Sequence, residues 1–425
     1  MDIREAISYI HQLPKGLKPG LHRIRRLLAL LGDPQKELKV VHIAGTNGKG
    51  STAAMTASIL HKAGYRTGLF TSPFIYRFHE RIQLCGQQIS DEDLLPLILK
   101  VKGLAETMEE SPAQFEFVTA MAMEYYRSKK ADIVVLEVGM GGALDATNAI
   151  DAPEVAVITN IGLDHTDALG DTEEKIAAHK AGIVKPGCHT VVYRCSPSVE
   201  AVFEQVCLEK NVPLLKADFD GIRRISHSLE GQVFDCGERK ELELPLLGEH
   251  QLRNAAVVLR IAEALQLRGW KITEQHIREG LRDTSWPGRF DIMHHDPLFI
   301  IDAGHNPQCI EALVKNIEEY LEGKKVIVLA GVLKDKDYVD MFRPVLPLVD
   351  TFVCMTPPNP RKLEGEELAA HLRQVGAQAV AEPTIPDAVA KAMALAGTDG
   401  VVLSFGSLYT IYDVREGLRQ VLARQ

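Results

Sequence analysis

Short unbroken apolar runs alternate along the chain with longer stretches in which apolar residues recur every three or four positions. The first pattern predicts buried strands and the second amphipathic helices. Strands are expected over 39–43, 65–70, 132–137, 155–159 and 189–193. Helical spacing covers 2–12, 22–31, 52–62, 91–108, 114–129, 172–182, 250–267 and 273–282. Four short runs, 213–215, 222–226, 232–236 and 241–244, read as antiparallel strands on the flank. The stretch 71–81, TSPFIYRFHER, is too polar and Pro-broken for either element and reads as a loop. Trp286-Pro287-Gly288-Arg289-Phe290 punctuates the pattern as a hinge. Beyond it the alternation restarts, with strands at 298–302, 325–330, 350–354 and 400–404. Helices are expected there at 307–321, 337–345, 365–374, 385–396 and 408–423.

Alternating strands and helices imply a mostly parallel sheet with ligands at the C-terminal strand ends. The expected fold is therefore α/β in two parts. Residues 1–290 would form a P-loop nucleotide-binding parallel-sheet domain with a small antiparallel sheet beside it. Residues 291–425 would form a smaller Rossmann-like α/β domain. The second part has no G-x-G-x-x-G after its first strand, so dinucleotide binding is not expected there.

The first expected strand stops at a glycine-rich turn, Gly45-Thr46-Asn47-Gly48-Lys49-Gly50-Ser51, and a helical run follows. Strand, glycine loop and helix aim backbone N–H groups and a helix N-terminus at one point, which suits phosphate. Glycines let the backbone close round an anion, and Lys49 adds a point charge. The spacing G-x-x-x-x-G-K-[ST] is not met, because position 43 is Ile and Gly50 follows the lysine.

Composition narrows the function classes. In 425 residues, 46% are apolar and 25% charged, as in an ordinary soluble globular protein. A net charge of −9 argues against nucleic acid or a membrane surface as the main partner. The seven cysteines are scattered without a C-x-x-C pair, so reduced thiols are expected rather than a zinc site or disulfides. The amphipathic N-terminus is not a signal peptide, and no apolar run is long enough to span a bilayer. A cytoplasmic monomer is the expectation.

Several polar residues fall just past expected strand ends. Glu137 closes a buried strand, where a carboxylate can hold Mg²⁺ or merely cap a helix. His165 follows the strand at 155–159. Lys180 reads first as a solvated lysine at a helix end, and Asp302 and His305 as part of an Asn-Pro turn.

Taken in order, the segments match a family. They are GTNGKGS, TSPF…RFHERI, LEVGMGGALDATN, NIGLDHTDALG, AAHKAGIVKPG, NAA, WPGRFD, DAGHNP and FGSLYTIYDVR. The chain resembles the folylpolyglutamate synthase and dihydrofolate synthase family, a branch of the Mur-type ATP-dependent amide ligases. The resemblance covers about 40 to 415, and Gly20-Leu21-His22-Arg23-Ile24 is similar to the family's pteridine-side segment. It implies ATP-dependent ligation of L-glutamate to the carboxylate of folate polyglutamates or dihydropteroate, through an acyl phosphate, releasing ADP and phosphate. The loop from Gly45 to Ser51 would take the ATP phosphates, with Lys49 catalytic. Ser72, Glu137 and His165 match magnesium ligands, with two Mg²⁺ sites implied, and Lys180 matches a lysine carboxylated to a carbamate. Asn254, Arg289 and Asp302 match nucleotide contacts, and His305 and Ser407 match positions that hold the incoming glutamate, with His305 also counted as catalytic. Leu144, Asp145 and Ala146 match a segment lining the pteroate pocket.

The chain departs from the family pattern at His79 in FHERI, at the exchanged Ala303-Gly304 pair, and at Ala143, where a basic residue is common. Two other readings stand against this one. A Mur-type ligase acting on a cell-wall precursor is disfavoured by LDATN and FHERI. A nucleotide-switch module is disfavoured by the absence of a guanine-specifying Asn-Lys-x-Asp and by the second α/β part with its own polar strand ends.

Overall fold

The computed structural model describes residues 1–16, 20–304, 306–334, 341–406 and 410–424. It divides into two compact units. The first comprises Met1–Ser226, Gln232–Pro245 and Gln251–Ser285, and the second His227–Gly231, Leu246–His250 and Trp286–Gln425.

The first unit is built on an eight-stranded sheet. Its strands are β1 Val40–Ala44, β2 Thr67–Phe70, β3 Ile82–Leu84, β4 Gln87–Gln88, β5 Ile133–Glu137, β6 Val155–Ile158, β7 His189–Val192 and β8 Leu214–Lys216. Their order is β4-β3-β2-β5-β1-β6-β7-β8. The strands from β2 to β8 in this order run parallel, and only the β3 and β4 edge is antiparallel. β1, β5 and β6 are buried at every position, as expected of central parallel strands covered on both faces. Gly280 in the helix Glu274–Arg282 allows close packing on the helix Lys49–Lys62, because a Cβ there would stand 2.5 Å from Ile59 Cα. A separate three-stranded sheet holds β9 Ile222–Ser228, β10 Gly231–Cys236 and β11 Arg239–Leu244.

The second unit carries a six-stranded sheet of β12 Asp291–His295, β13 Leu298–Ile301, β14 Val326–Ala330, β15 Thr351–Cys354, β16 Ala379–Ala381 and β17 Val401–Phe405. The order is β12-β13-β17-β14-β15-β16, parallel except at β12. Its core includes Phe299, Phe342, Phe352 and Phe405, all essentially inaccessible to solvent.

The fold class follows the sequence expectation. Local differences appear among the described residues. The run at 213–215 is not part of the antiparallel flank, since β8 pairs in parallel with β7 as the edge of the large sheet. A three-residue run carries no signal for the direction of its partner. The segment 194–212, left without an element by the apolar pattern, contains the helix Pro197–Lys210, which buries Val199, Phe203 and Cys207 at four-residue spacing. β3, β4, β12 and β16 are too short or too polar to stand out. The helix expected at 337–345 falls partly outside the described residues, and Arg343–Leu348 within reach of it is a 3₁₀ turn. No helix among the described residues is long and apolar enough to cross a membrane.

Candidate functional site

β1 ends at Ala44, and the glycine loop turns directly onto the segment that follows β6. Thr46 N–H donates to Asn160 O at 2.7 Å, and Thr159 Oγ1 donates to Asn47 O at 2.7 Å. The Thr46 hydroxyl donates to Gly162 O at 3.1 Å and accepts from Gly162 N–H at 3.2 Å. The turn fits because Gly45 has no side chain: a Cβ would fall 1.8 Å from Thr159 Oγ1. Gly48 is fixed for two reasons. Its φ of 81° is left-handed, and a Cβ there would meet Asn254 Oδ1 at 2.5 Å. Asn254 is buried, and its amide donates to Gln251 Oε1 at 3.0 Å. The helix begins at Lys49, three residues before the apolar pattern places it, with Gly48 as its N-cap. Backbone N–H groups of the first turn, including those of Lys49, Gly50 and Ser51, lack intrahelical acceptors, an arrangement that suits an anion.

Two lysines converge on one oxygen of the loop. Lys49 Nζ donates to Gly45 O and Thr46 O, each at 3.0 Å. Lys180 Nζ, carried by the helix Glu173–Ala181, donates to the same Gly45 O at 2.8 Å. Lys180 is 4% exposed. Burial, together with the charge of Lys49, pushes its amine down to about 7, partly offset by Asp164 and Asp145. The solvated reading of Lys180 therefore fails on burial alone.

Glu137, at the end of β5, is buried, and its Oε2 accepts from Ser72 N–H at 2.9 Å. Ser72 opens the loop after β2, so neighbouring strands deliver both residues to one edge. The 71–81 loop is organised by Glu80, whose carboxylate accepts from the N–H groups of Ile75, Tyr76 and Arg77. His165 has left-handed backbone (φ 51°), is about half exposed, and has Nε2 4.0 Å from Asp164 Oδ1. The structure thus brings Ser72 and Glu137 into contact, while His165 belongs to the segment that begins with the Thr46 clamp.

Leu144, Asp145 and Ala146 follow the glycines at 139, 141 and 142. Leu144 is exposed, whereas Asp145 and Ala146 are buried. Asp145 accepts from Met140 N–H, Thr147 N–H and the Thr147 hydroxyl. Burial raises its pKa against these bonds. This segment abuts the Lys180 helix: a Cβ on Gly142 would lie 2.8 Å from His179 O and 3.0 Å from Lys180 Cα. Asn148 Nδ2 joins the two by donating to Ala143 O and Gly182 O. Lys185, beyond the helix, donates to the carbonyls of Asn148, Ile150 and Asp151.

In the second unit, Asp302 lies past the end of β13. It accepts from Phe290 N–H at 2.9 Å and Gly304 N–H at 2.7 Å, and Arg289 Nη1 donates to Gly288 O. Asn306 caps the helix Pro307–Tyr320 through Cys309 N–H. His305 and Ser407 lie outside the described residues.

Arg81 escaped the sequence reading. Burial lowers its guanidinium to about 10, with Glu137 and Glu80 opposing, and its Nε is buried without a hydrogen-bond partner. It lies 5.2 Å from the Phe74 ring centroid. A polar, Pro-broken loop gave no sign that one of its arginines would be half-buried with an enclosed Nε.

Comparison with known proteins shows the family. The Mur ligase middle domain matches residues 43–262, and the Mur ligase, glutamate ligase domain, matches 288–408. A folylpolyglutamate synthase of Lacticaseibacillus casei is 35% identical, covering 98% of this chain and 99% of its own. A dihydrofolate synthase/folylpolyglutamate synthase of Bacillus subtilis is 33% identical over the same shares. The solved Escherichia coli FolC in complex with DHPP and ADP superposes with a TM-score of 0.87 at 31% identity, covering 100% of this chain and 99% of that one.

Replacing Gly48 by Ala is expected to raise the KM for the nucleotide at least about tenfold, since the new methyl must displace Asn254 or distort the loop. Thermal stability should fall as well, by the strain of about 1–3 kcal/mol that a left-handed non-glycine residue carries. Steady-state kinetics beside a melting curve checks this, and an unchanged nucleotide KM contradicts it.

Proposed function

This chain belongs to the folylpolyglutamate synthase and dihydrofolate synthase family and is an ATP-dependent ligase that joins glutamate to a folate-type acceptor, and from that premise we propose how its residues divide the reaction. The observation that carries the reading is the pair of lysines on the Gly45 carbonyl within a glycine loop. Two cations beside one oxygen in a buried site repel strongly unless an anion joins them or one is neutral.

A carboxylate is a poor electrophile, so the acceptor must first be activated. Its oxygen attacks the γ-phosphorus of ATP and ADP leaves, giving an acyl phosphate. The amine of L-glutamate then attacks the acyl carbon, and phosphate leaves with the former carboxylate oxygen. The loop N–H groups and Lys49 hold the phosphates and stabilise charge on the transferring group. Asn254, Arg289 and Asp302 serve the nucleotide, His305 and Ser407 the glutamate, and Leu144-Asp145-Ala146 the acceptor, either dihydropteroate or a reduced folate.

Ser72, Glu137 and His165 are assigned to Mg²⁺. The buried Glu137 carboxylate linked to Ser72 at adjacent strand ends supports this, because Mg²⁺ prefers oxygen donors. When bound, the ion supplies electrophilic stabilisation of the phosphoryl oxygens. The reading is tested by ADP release that requires both acceptor and glutamate, with Glu137→Ala losing turnover while remaining folded. ADP release indifferent to glutamate, or a Glu137→Ala variant with near-wild-type rate at ordinary Mg²⁺, overturns it.

Lys180 is assigned as a carbamate. Its ammonium first gives one proton to solvent; the neutral amine then attacks the carbon of CO₂ and releases a second proton, so that a cation has become an anion. That relieves repulsion with Lys49 and adds oxygen donors. An amine titrating at about 7 loses its proton as pH rises through that value, so loading should increase from about pH 6 to about pH 8. Lys180→Ala should be nearly inactive, and short carboxylic acids should restore part of the rate. Lys185→Ala should keep its activity and lose stability, because its ammonium serves backbone carbonyls. Full activity of Lys180→Ala contradicts the assignment.

A further inference from the structure

The His42 imidazole has no part in the chemistry above. It stands in the middle of β1, fully buried among Val40, Val41, Ile43 and Ala44. A polar ring there requires a partner, and Nε2 lies 2.8 Å from Thr147 Oγ1. That hydroxyl in turn donates to Asp145 Oδ1 at 2.5 Å. A hydroxyl has one proton. With that proton on the bond to Asp145, the Thr147 oxygen accepts from His42, so the ring carries its proton on Nε2 and leaves Nδ1 bare. Nδ1 is buried with no hydrogen-bond partner. The ring is neutral, since burial drives its pKa down to about 3.

Asp145 is the end of this chain. Besides the hydroxyl, it accepts Thr147 N–H at 3.0 Å and Met140 N–H at 2.9 Å. Burial raises its pKa, and these donors work against that shift in favour of the ionised carboxyl. A threonine hydroxyl on its own rotates freely among acceptors. The Nε2–H of His42 occupies the oxygen from one side and leaves Asp145 as the direction in which the hydroxyl donates.

We propose that His42 is a positioning residue for the acceptor: through the Thr147 hydroxyl it holds the Asp145 carboxylate in the orientation and charge state that N–H donors of a pterin-type acceptor meet. The inference rests on the reading that Leu144-Asp145-Ala146 line the acceptor pocket. His42 acts on the acceptor only through Thr147 and Asp145.

The test is steady-state kinetics on the full-length enzyme with the acceptor varied at saturating ATP and glutamate. Thr147→Val and His42→Leu should each raise the acceptor KM about tenfold and leave the ATP KM within about twofold. Thr147→Ser and His42→Gln keep the hydroxyl and the donor, and should stay near wild type. Residues acting in series are non-additive, so the Thr147→Val/His42→Leu double variant should be no worse than the poorer single one. Additive effects, equal behaviour of the two His42 variants, or an ATP KM rising in step overturn the relay. Asp145→Asn separates the two levels of the argument. If it leaves the acceptor KM unchanged, the pocket reading fails and the relay with it. If it raises that KM while His42→Leu and Thr147→Val do not, the relay alone fails. Nitrogen-15 spectra of histidine-labelled wild-type protein give a check independent of variant folding: an Nε2–H tautomer at His42 is expected, and an Nδ1–H tautomer contradicts the proposal.

Discussion

The carbonyl of Gly45 is the point on which the first unit's chemistry depends. It accepts from Lys49, on the helix that follows the loop, and from Lys180, which is 135 positions away in sequence. The carbonyl is free to face both only because the loop lies flat against Thr159, a contact that any Cβ at position 45 would prevent. One glycine therefore fixes the loop against the segment after β6, and through it brings Lys180 to Lys49, whose charge adds to burial in lowering the Lys180 amine. The result is a site that is electrostatically incomplete with two ammonium groups. In the proposed reading, ATP phosphates answer this from one side and a carbamate at Lys180 from the other.

The segment proposed to meet the acceptor is tied to the same point. Gly142 packs against the backbone of His179 and Lys180, and Asn148 bonds across to Gly182. Asp145 is in turn anchored to β1 through Thr147 and His42. The glycine loop, Lys180 and the 142–148 segment thus share one rigid frame made of adjacent strand ends. In-line phosphoryl transfer demands such a frame, because a displacement of about 1 Å between reacting groups costs on the order of a hundredfold in rate.

Much of this was legible in the sequence. The apolar runs at β1, β5 and β6 announced a covered parallel sheet, and the glycines at 45, 48 and 50 announced a tight loop between β1 and the helix that follows. What the sequence withheld came from long-range packing. Thr159 and Asn160 are ordinary polar residues until β6 sets them against the loop. Lys180 reads as a solvated residue at a helix end, because its burial depends on elements that the local pattern does not contain. Arg81 is hidden for the same reason. The parallel direction of β8 depends on its partner β7, and three residues cannot encode it.

The claim most exposed to test is that Lys180 works as an anion. Carbon-13 spectra of the enzyme equilibrated with labelled bicarbonate at a pH above the lysine's midpoint measure this directly. The account predicts a protein-bound carbamate signal in the wild type that is lost in Lys180→Ala and fades as the pH falls below about 7. A wild-type protein that turns over normally with no such signal would contradict it.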